Sequence, residues 1–137
     1  MAGIGKFYRF KPRSQWPPSL QQSIPEDKLY FMHPAIIVGG TGTGVDVVTT
    51  TSSPNMGNNT ANYAPISHQA PSIVDTSHPE FPIIVNTALP KQSWAVLDSR
   101  RRFDVSILQP WVENGVQFKL GKGSRVRLTQ KVDARMK

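Results

Sequence analysis

The sequence predicts a small all-β domain, mainly strand, and three observations carry that expectation. Short apolar stretches alternate with period two, β-branched residues cluster in them, and glycine- or proline-rich turns separate them, while helical periodicity is almost absent. With 137 residues, one hydrophobic core suits the chain, and dividing it would starve both halves of apolar surface. A barrel or sandwich of about six strands follows.

Residues 1–27 mix aromatic and basic side chains up to Trp16-Pro17-Pro18. Two consecutive prolines argue against a helix there, so an extended N-terminal arm is expected, with one short strand at Lys6–Phe10. From Leu29 the chain turns apolar. Ala35–Val38 and Val45–Thr51 are β-branched runs flanking Gly39-Gly40-Thr41-Gly42-Thr43-Gly44, the pattern of a β-hairpin. The glycines are not a phosphate loop, since no Gly-Lys-Ser/Thr ending and no amphipathic helix follow. Residues 53–79 are rich in Ser, Asn, Pro and Ala and read as a long surface loop without core elements. It carries His68 and His78, whose spacing is a poor basis for a metal site. No metal or cofactor is expected.

Two strands follow. Phe81, Ile83 and Val85 share one face of the first, and Ser93, Ala95 and Leu97 oppose Trp94, Val96 and Asp98 in the second. A further strand places Phe103, Val105 and Ile107 at period two between Arg100-Arg101-Arg102 and Pro110. The end of the chain sets Val116, Phe118 and Leu120, then Val126 and Leu128, among basic residues, with Gly121-Lys122-Gly123 as a turn. A C-terminal hairpin, or a strand followed by a short helix, fits this pattern.

Charge is unevenly distributed. Residues 1–99 hold six Lys/Arg and six Asp/Glu, whereas residues 100–137 hold ten and three, which is the entire net charge of +7. Lys6, Arg9, Lys11 and Arg13 form a second basic cluster. Clustered cations suit a polyanion, because they release counterions condensed on phosphates; a solubilising charged surface is the alternative. The absence of cysteine excludes disulfides, thiolate metal sites and a cysteine nucleophile. No apolar run is long enough for a secretory signal core or a membrane span, so an intracellular protein, cytoplasmic or nuclear and without membrane association, is expected.

Three segments in order, His33-Pro34-Ala35-Ile36-Ile37-Val38, Val45-Asp46-Val47-Val48-Thr49-Thr50-Thr51-Ser52, and Ser93-Trp94-Ala95-Val96-Leu97-Asp98 running on to Leu108, resemble the PemK/MazF-like toxin family. The likeness covers residues 29–110. Its proline-rich form, Leu89-Pro90-Lys91-Gln92-Ser93-Trp94, is more similar to an uncharacterised fungal-like branch than to bacterial toxins. The resemblance implies an SH3-like barrel with a long loop and at most a short helix, commonly a homodimer, that cleaves single-stranded RNA without metal. A non-catalytic SH3-like module binding nucleic acid or a protein partner through its basic surface is the alternative.

The family places an arginine before the proline and a threonine at the end of the following strand. The matching positions are His33 and Thr51, with Thr50 as the candidate if the register shifts by one. A guanidinium is always charged and binds phosphate bidentately; an imidazole instead exchanges protons near neutral pH, which suits a general base or acid. For phosphate contact Arg100, Arg101 and Arg102 are the candidates, and strand alternation sends Arg101 to the face opposite Arg100 and Arg102. Lys119, Arg125 and Arg127 extend the basic surface, and Trp94, Trp111 and Tyr63 are stacking platforms wherever they face solvent.

Overall fold

The computed structural model describes residues 3–55, 57, 60–71 and 81–135 of the chain. Of the expected 53–79 loop, residues 56, 58, 59 and 72–79, His78 among them, lie outside the described residues. The architecture is mainly β, at 37% strand and 27% helix, so the all-β expectation is corrected.

Strands β1 (Phe7–Phe10), β2 (Ala35–Thr41), β3 (Gly44–Thr51), β4 (Tyr63–Ser67), β5 (Ile83–Ile84), β6 (Ser93–Val96), β7 (Arg101–Asp104) and β8 (Leu108–Pro110) form one sheet. Its order is β5-β4-β6-β3-β2-β1-β8, with β7 beside β3. The sheet does not close into a barrel: β5 and β8 stand at opposite ends of the path, and Lys119 and Leu120 meet Lys6 and Val85, beside β1 and β5, as isolated bridges rather than as a strand of the sheet. Strands β9 (Val112–Glu113) and β10 (Val116–Gln117) make a separate hairpin. Asn114 and Gly115 turn it with φ of 53° and 79°, the left-handed pair that Asn-Gly supplies most readily.

The expected central hairpin forms, with β2 and β3 longer at the turn than predicted. Gly40 lies at φ 138°, where an added Cβ would sit 2.4 Å from the Gly44 carbonyl oxygen, so glycine is required for the strands to approach. The two strands bury both faces. Ile36, Val38 and Val48 enter one core with Phe7, Ile66, Ile83, Ala95 and Phe118; Ala35, Ile37, Val45 and Val47 enter a second with Phe10, Trp16, Tyr30 and Phe103. Continuous rather than alternating apolar runs are what such doubly covered strands need.

The second core corrects the extended arm. Residues after β1 fold back over the sheet and carry helices α1 (Pro18–Ser23) and α2 (Lys28–Phe31). The two prolines do not prevent α1: Pro17 precedes its first turn and Pro18 takes a first-turn position, where a missing N–H costs nothing. Trp16, 3% exposed, seats against Phe31, and Phe31 packs on Phe10 and Phe103 with ring centroids 5.0–5.6 Å apart. Asp27 caps α2 by accepting from the Tyr30 N–H.

Three further expectations change. The polar stretch taken as loop contains β4, whose Ala64 and Ile66 are buried against β6 while Tyr63 and Ser67 face outward; two apolar residues give too little signal to stand out. The strand through Phe103 stops at Asp104, whose carboxylate accepts from the Ser106 N–H and starts a 3-10 turn over Val105–Ile107. The terminal helix is not short: α3 (Lys122–Arg135) runs 14 residues. It buries Ser124, Leu128 and Val132, a stripe repeating every fourth residue on an otherwise polar helix.

Strand β3 changes partner along its length. Gly44–Val47 pairs with β7, and Thr50–Thr51 pairs with β6. At the crossover the buried Thr49 N–H has neither strand to donate to, and Ser99 Oγ accepts it at 2.8 Å. Ser99 Oγ in turn donates to the Val96 carbonyl, and the Ser99 carbonyl accepts from the Tyr30 hydroxyl at 2.7 Å. Burial keeps that phenol protonated by raising its pKa, against the opposing pull of Arg101. Ser99→Ala strands the Thr49 N–H without a partner and lowers stability by about 2 kcal/mol, read as a reduced urea midpoint at unchanged m-value.

Candidate functional site

The end of the β2–β3 pair opposite its glycine turn builds the site. Ala35 pairs with Thr49, and one step further the Thr50 N–H donates to the Pro34 carbonyl at 2.8 Å. Continuing that register sets His33 across from Thr51. His33 is held from the other side by α2, since its N–H donates to the Tyr30 carbonyl. Pro34 blocks helix continuation, so the chain must pass at this point from α2 into β2.

His33 and Thr51 line one cleft of about 350 Å³ together with Arg9, Ser52, Lys91 and Trp111. His33 and Thr51 are half-buried, and Arg9, Ser52 and Lys91 are exposed. Thr51 Oγ1 accepts from the Ser53 N–H at 3.1 Å, which leaves its proton available to donate. Thr50 is 2% exposed and its hydroxyl points to the Pro34 carbonyl, so Thr51 is the threonine that a ligand meets.

Arg9 was not singled out for this site by the sequence. It belongs to β1, on the outward face between buried Tyr8 and Phe10. β1 pairs with β8, and the turn beyond β8 carries Trp111, whose backbone N–H donates to the Phe7 carbonyl. The guanidinium lies 4.6 Å from the Trp111 ring centroid, a cation–π contact that narrows where a long flexible side chain points. Lys91 reaches the cleft from the turn before β6. The signal available in the sequence was the basic cluster around β1, but nothing there states that it folds against His33.

The three consecutive arginines are placed elsewhere. Alternation holds: Arg100 and Arg102 share one side, and Arg101 takes the other. Arg102 grips Asp46 through Nε at 2.8 Å and Nη2 at 3.1 Å, and Arg100 Nη2 reaches the same carboxylate at 2.9 Å. Arg100 also contacts Asp133 of α3 at 3.3 Å. Arg101 pairs with Asp27 at 3.2 Å and stacks on Tyr30 at 4.0 Å. Their charge is thus largely committed to carboxylates. Among the described residues Arg9 and Lys91 make no ion pair, so the cations available to a phosphate at this cleft are those two.

Lys119, Arg125 and Arg127 lie away from the cleft; Arg127 stacks on Phe81 and donates to the Pro82 carbonyl and to Ser124. Trp111 is buried beneath Arg9, and Trp94 and Tyr63 are half-buried on the sheet. His68 lines a neighbouring cavity with Lys91 and Gln92. Among the described residues no three His, Cys, Asp or Glu side chains are grouped as metal ligands, and no helix is long and apolar enough to cross a membrane. No protein-family model matches the chain, and no curated protein matches it.

Asp46 is 5% exposed, and hydrogen bonds from Arg102, joined by Arg100, lower its pKa to about 2 against the opposing cost of burial. The folded carboxyl therefore binds a proton less readily than the unfolded one. Its stabilisation is complete above the unfolded value of about 3.9 and is lost as the pH falls through the folded value near 2. Asp46→Asn is expected to lower stability at neutral pH by about 2 kcal/mol and to flatten the acid limb of the stability curve between those two values, measured by chemical denaturation across pH.

Proposed function

We propose that the chain is a nucleic-acid-binding protein of the PemK/MazF-like kind and an endoribonuclease acting on single-stranded RNA at the cleft between α2, β1 and β3. The observation that carries this reading is that His33 and Thr51, the two positions the resemblance selects, line one cleft with two unpaired cations, Arg9 and Lys91.

Cleavage with side chains alone requires the ribose 2′-hydroxyl to lose a proton and attack the adjacent phosphorus while the 5′-oxygen leaves and gains one. The 2′-oxygen–phosphorus bond forms as the phosphorus–5′-oxygen bond breaks, leaving a 2′,3′-cyclic phosphate. His33 takes the 2′-hydroxyl proton, and the imidazolium so formed, or water, protonates the 5′-oxygen. Thr51 donates a hydrogen bond to a non-bridging oxygen. Arg9, held over Trp111, supplies the guanidinium that the position before Pro34 lacks, and Lys91 adds a mobile charge. The arginine function has in this reading moved from the strand entrance to a neighbouring strand. The homodimer is part of the same reading.

Purified protein is expected to cleave single-stranded RNA to fragments ending in 2′,3′-cyclic phosphate, and His33→Ala and Arg9→Ala each to slow cleavage by about a hundredfold or more, with Arg9→Lys recovering part of the loss. RNA bound with a steep salt dependence but never cut would instead favour the non-catalytic module. Neither binding nor cleavage over varied RNA sequences removes both readings. Sedimentation equilibrium tests the dimer, which a monomer throughout the micromolar range would dismiss.

A further inference from the structure

A second cavity, about 360 Å³, adjoins the cleft beneath the N-terminal arm. Met32, 68% exposed, lines both, so the two are adjacent and share one wall. The arm cavity repeats the construction of the cleft: Arg13 lies 4.9 Å from the Trp16 ring centroid, as Arg9 lies over Trp111. Trp16 is locked by its indole N–H donating to the Lys11 carbonyl at 2.8 Å. Arg13 is pinned by donating to the Gln21 and Ile24 carbonyls at the end of α1. Its guanidinium is therefore a fixed plane on the wall of a cavity, and bases unstacked from single-stranded RNA stack on such planes.

The charge around this plane suits a phosphate backbone. Lys11 and Lys28 line the same cavity, and among the described residues neither makes an ion pair. Glu26 and Asp27 also line it, but Asp27 is engaged with Arg101 and with the Tyr30 N–H. An isolated apolar hollow would suit many occupants. One lined by Trp16 and Phe31, walled by an arginine plane, and sharing Met32 with a cleft that holds two cations suits the next nucleotide of the same strand.

We propose that the arm cavity is a base-binding subsite for the nucleotide one step beyond the pair joined by the scissile phosphodiester, with Arg13 on Trp16 as its stacking platform and Lys28 meeting the flanking phosphate. This rests on the RNA reading of the cleft. The occupant is a nucleobase of single-stranded RNA, and recognition by stacking makes the subsite tolerant of base identity.

The test uses the full chain and non-cleavable 2′-O-methyl oligoribonucleotides, a dinucleotide and a tetranucleotide, followed by fluorescence anisotropy. The tetranucleotide is expected to bind about tenfold more tightly. Arg13→Ala and Lys28→Glu are expected to remove that gain while leaving dinucleotide affinity unchanged. Lys28 is exposed and unpaired, so its variant reports on the subsite even if Arg13→Ala loosens the arm. Equal affinity for the two lengths, or a loss that is the same for both, overturns the subsite while the cleft reading stands. Failure of both lengths to bind overturns the cleft reading and the subsite together.

Discussion

The division of β3 between two partners is the constraint on which the rest of the structure depends. A strand that pairs with β7 over its first half and β6 over its second must carry a backbone donor at the changeover that neither partner can accept. Ser99 takes the Thr49 N–H, and through its own carbonyl it receives the Tyr30 hydroxyl. One serine thus joins the sheet to α2. Because His33 follows α2 and Thr51 follows Thr49, the same joint places the two residues of the candidate site.

The buried Asp46 acts on the other half of the same strand. Two arginines from the segment entering β7 converge on it, and one of them extends to α3. A carboxylate at 5% exposure is tolerable only if its oxygens are hydrogen-bonded and its charge is matched. Three arginines in succession look like a surface for polyanions; Arg100 and Arg102 bind the carboxylate of the strand that the site is built upon, and Arg101 binds Asp27 at the start of α2. Cation supply at the cleft passes to Arg9 and Lys91, and cation–π stacking on a tryptophan lets an exposed arginine keep a defined direction without spending its charge on a carboxylate.

Much of the sheet was legible in the sequence. The hairpin of β2 and β3 follows from β-branched runs around glycines. The alternation of Phe81, Ile83 and Val85 marks one face, which is buried; that of Ser93, Ala95 and Leu97 against Trp94, Val96 and Asp98 separates two faces, and the structure buries the first set. The Asn114-Gly115 turn carries an equally plain local signal in its Asn-Gly pair. The arm was less legible, because Pro17-Pro18 looks like a helix breaker unless Pro18 is seen as a first-turn residue. Helix α3 was concealed by its polarity: a stripe of Ser124, Leu128 and Val132 between charged residues offers little periodicity, and Val126 with Leu128 mimics a strand.

By itself the sequence determined the strand faces, the uneven charge and the pairing of His33 with Thr51 as candidates, because each depends on residues close in the chain or on a register set by one hairpin. Tertiary structure decided which cations are available. Arg102 and Asp46 are 56 positions apart, and Arg9 finds its tryptophan at position 111. Local pattern has no means of expressing such meetings. They arise only when β1 lies between β2 and β8, when β7 lies beside β3, and when the arm folds back over the sheet.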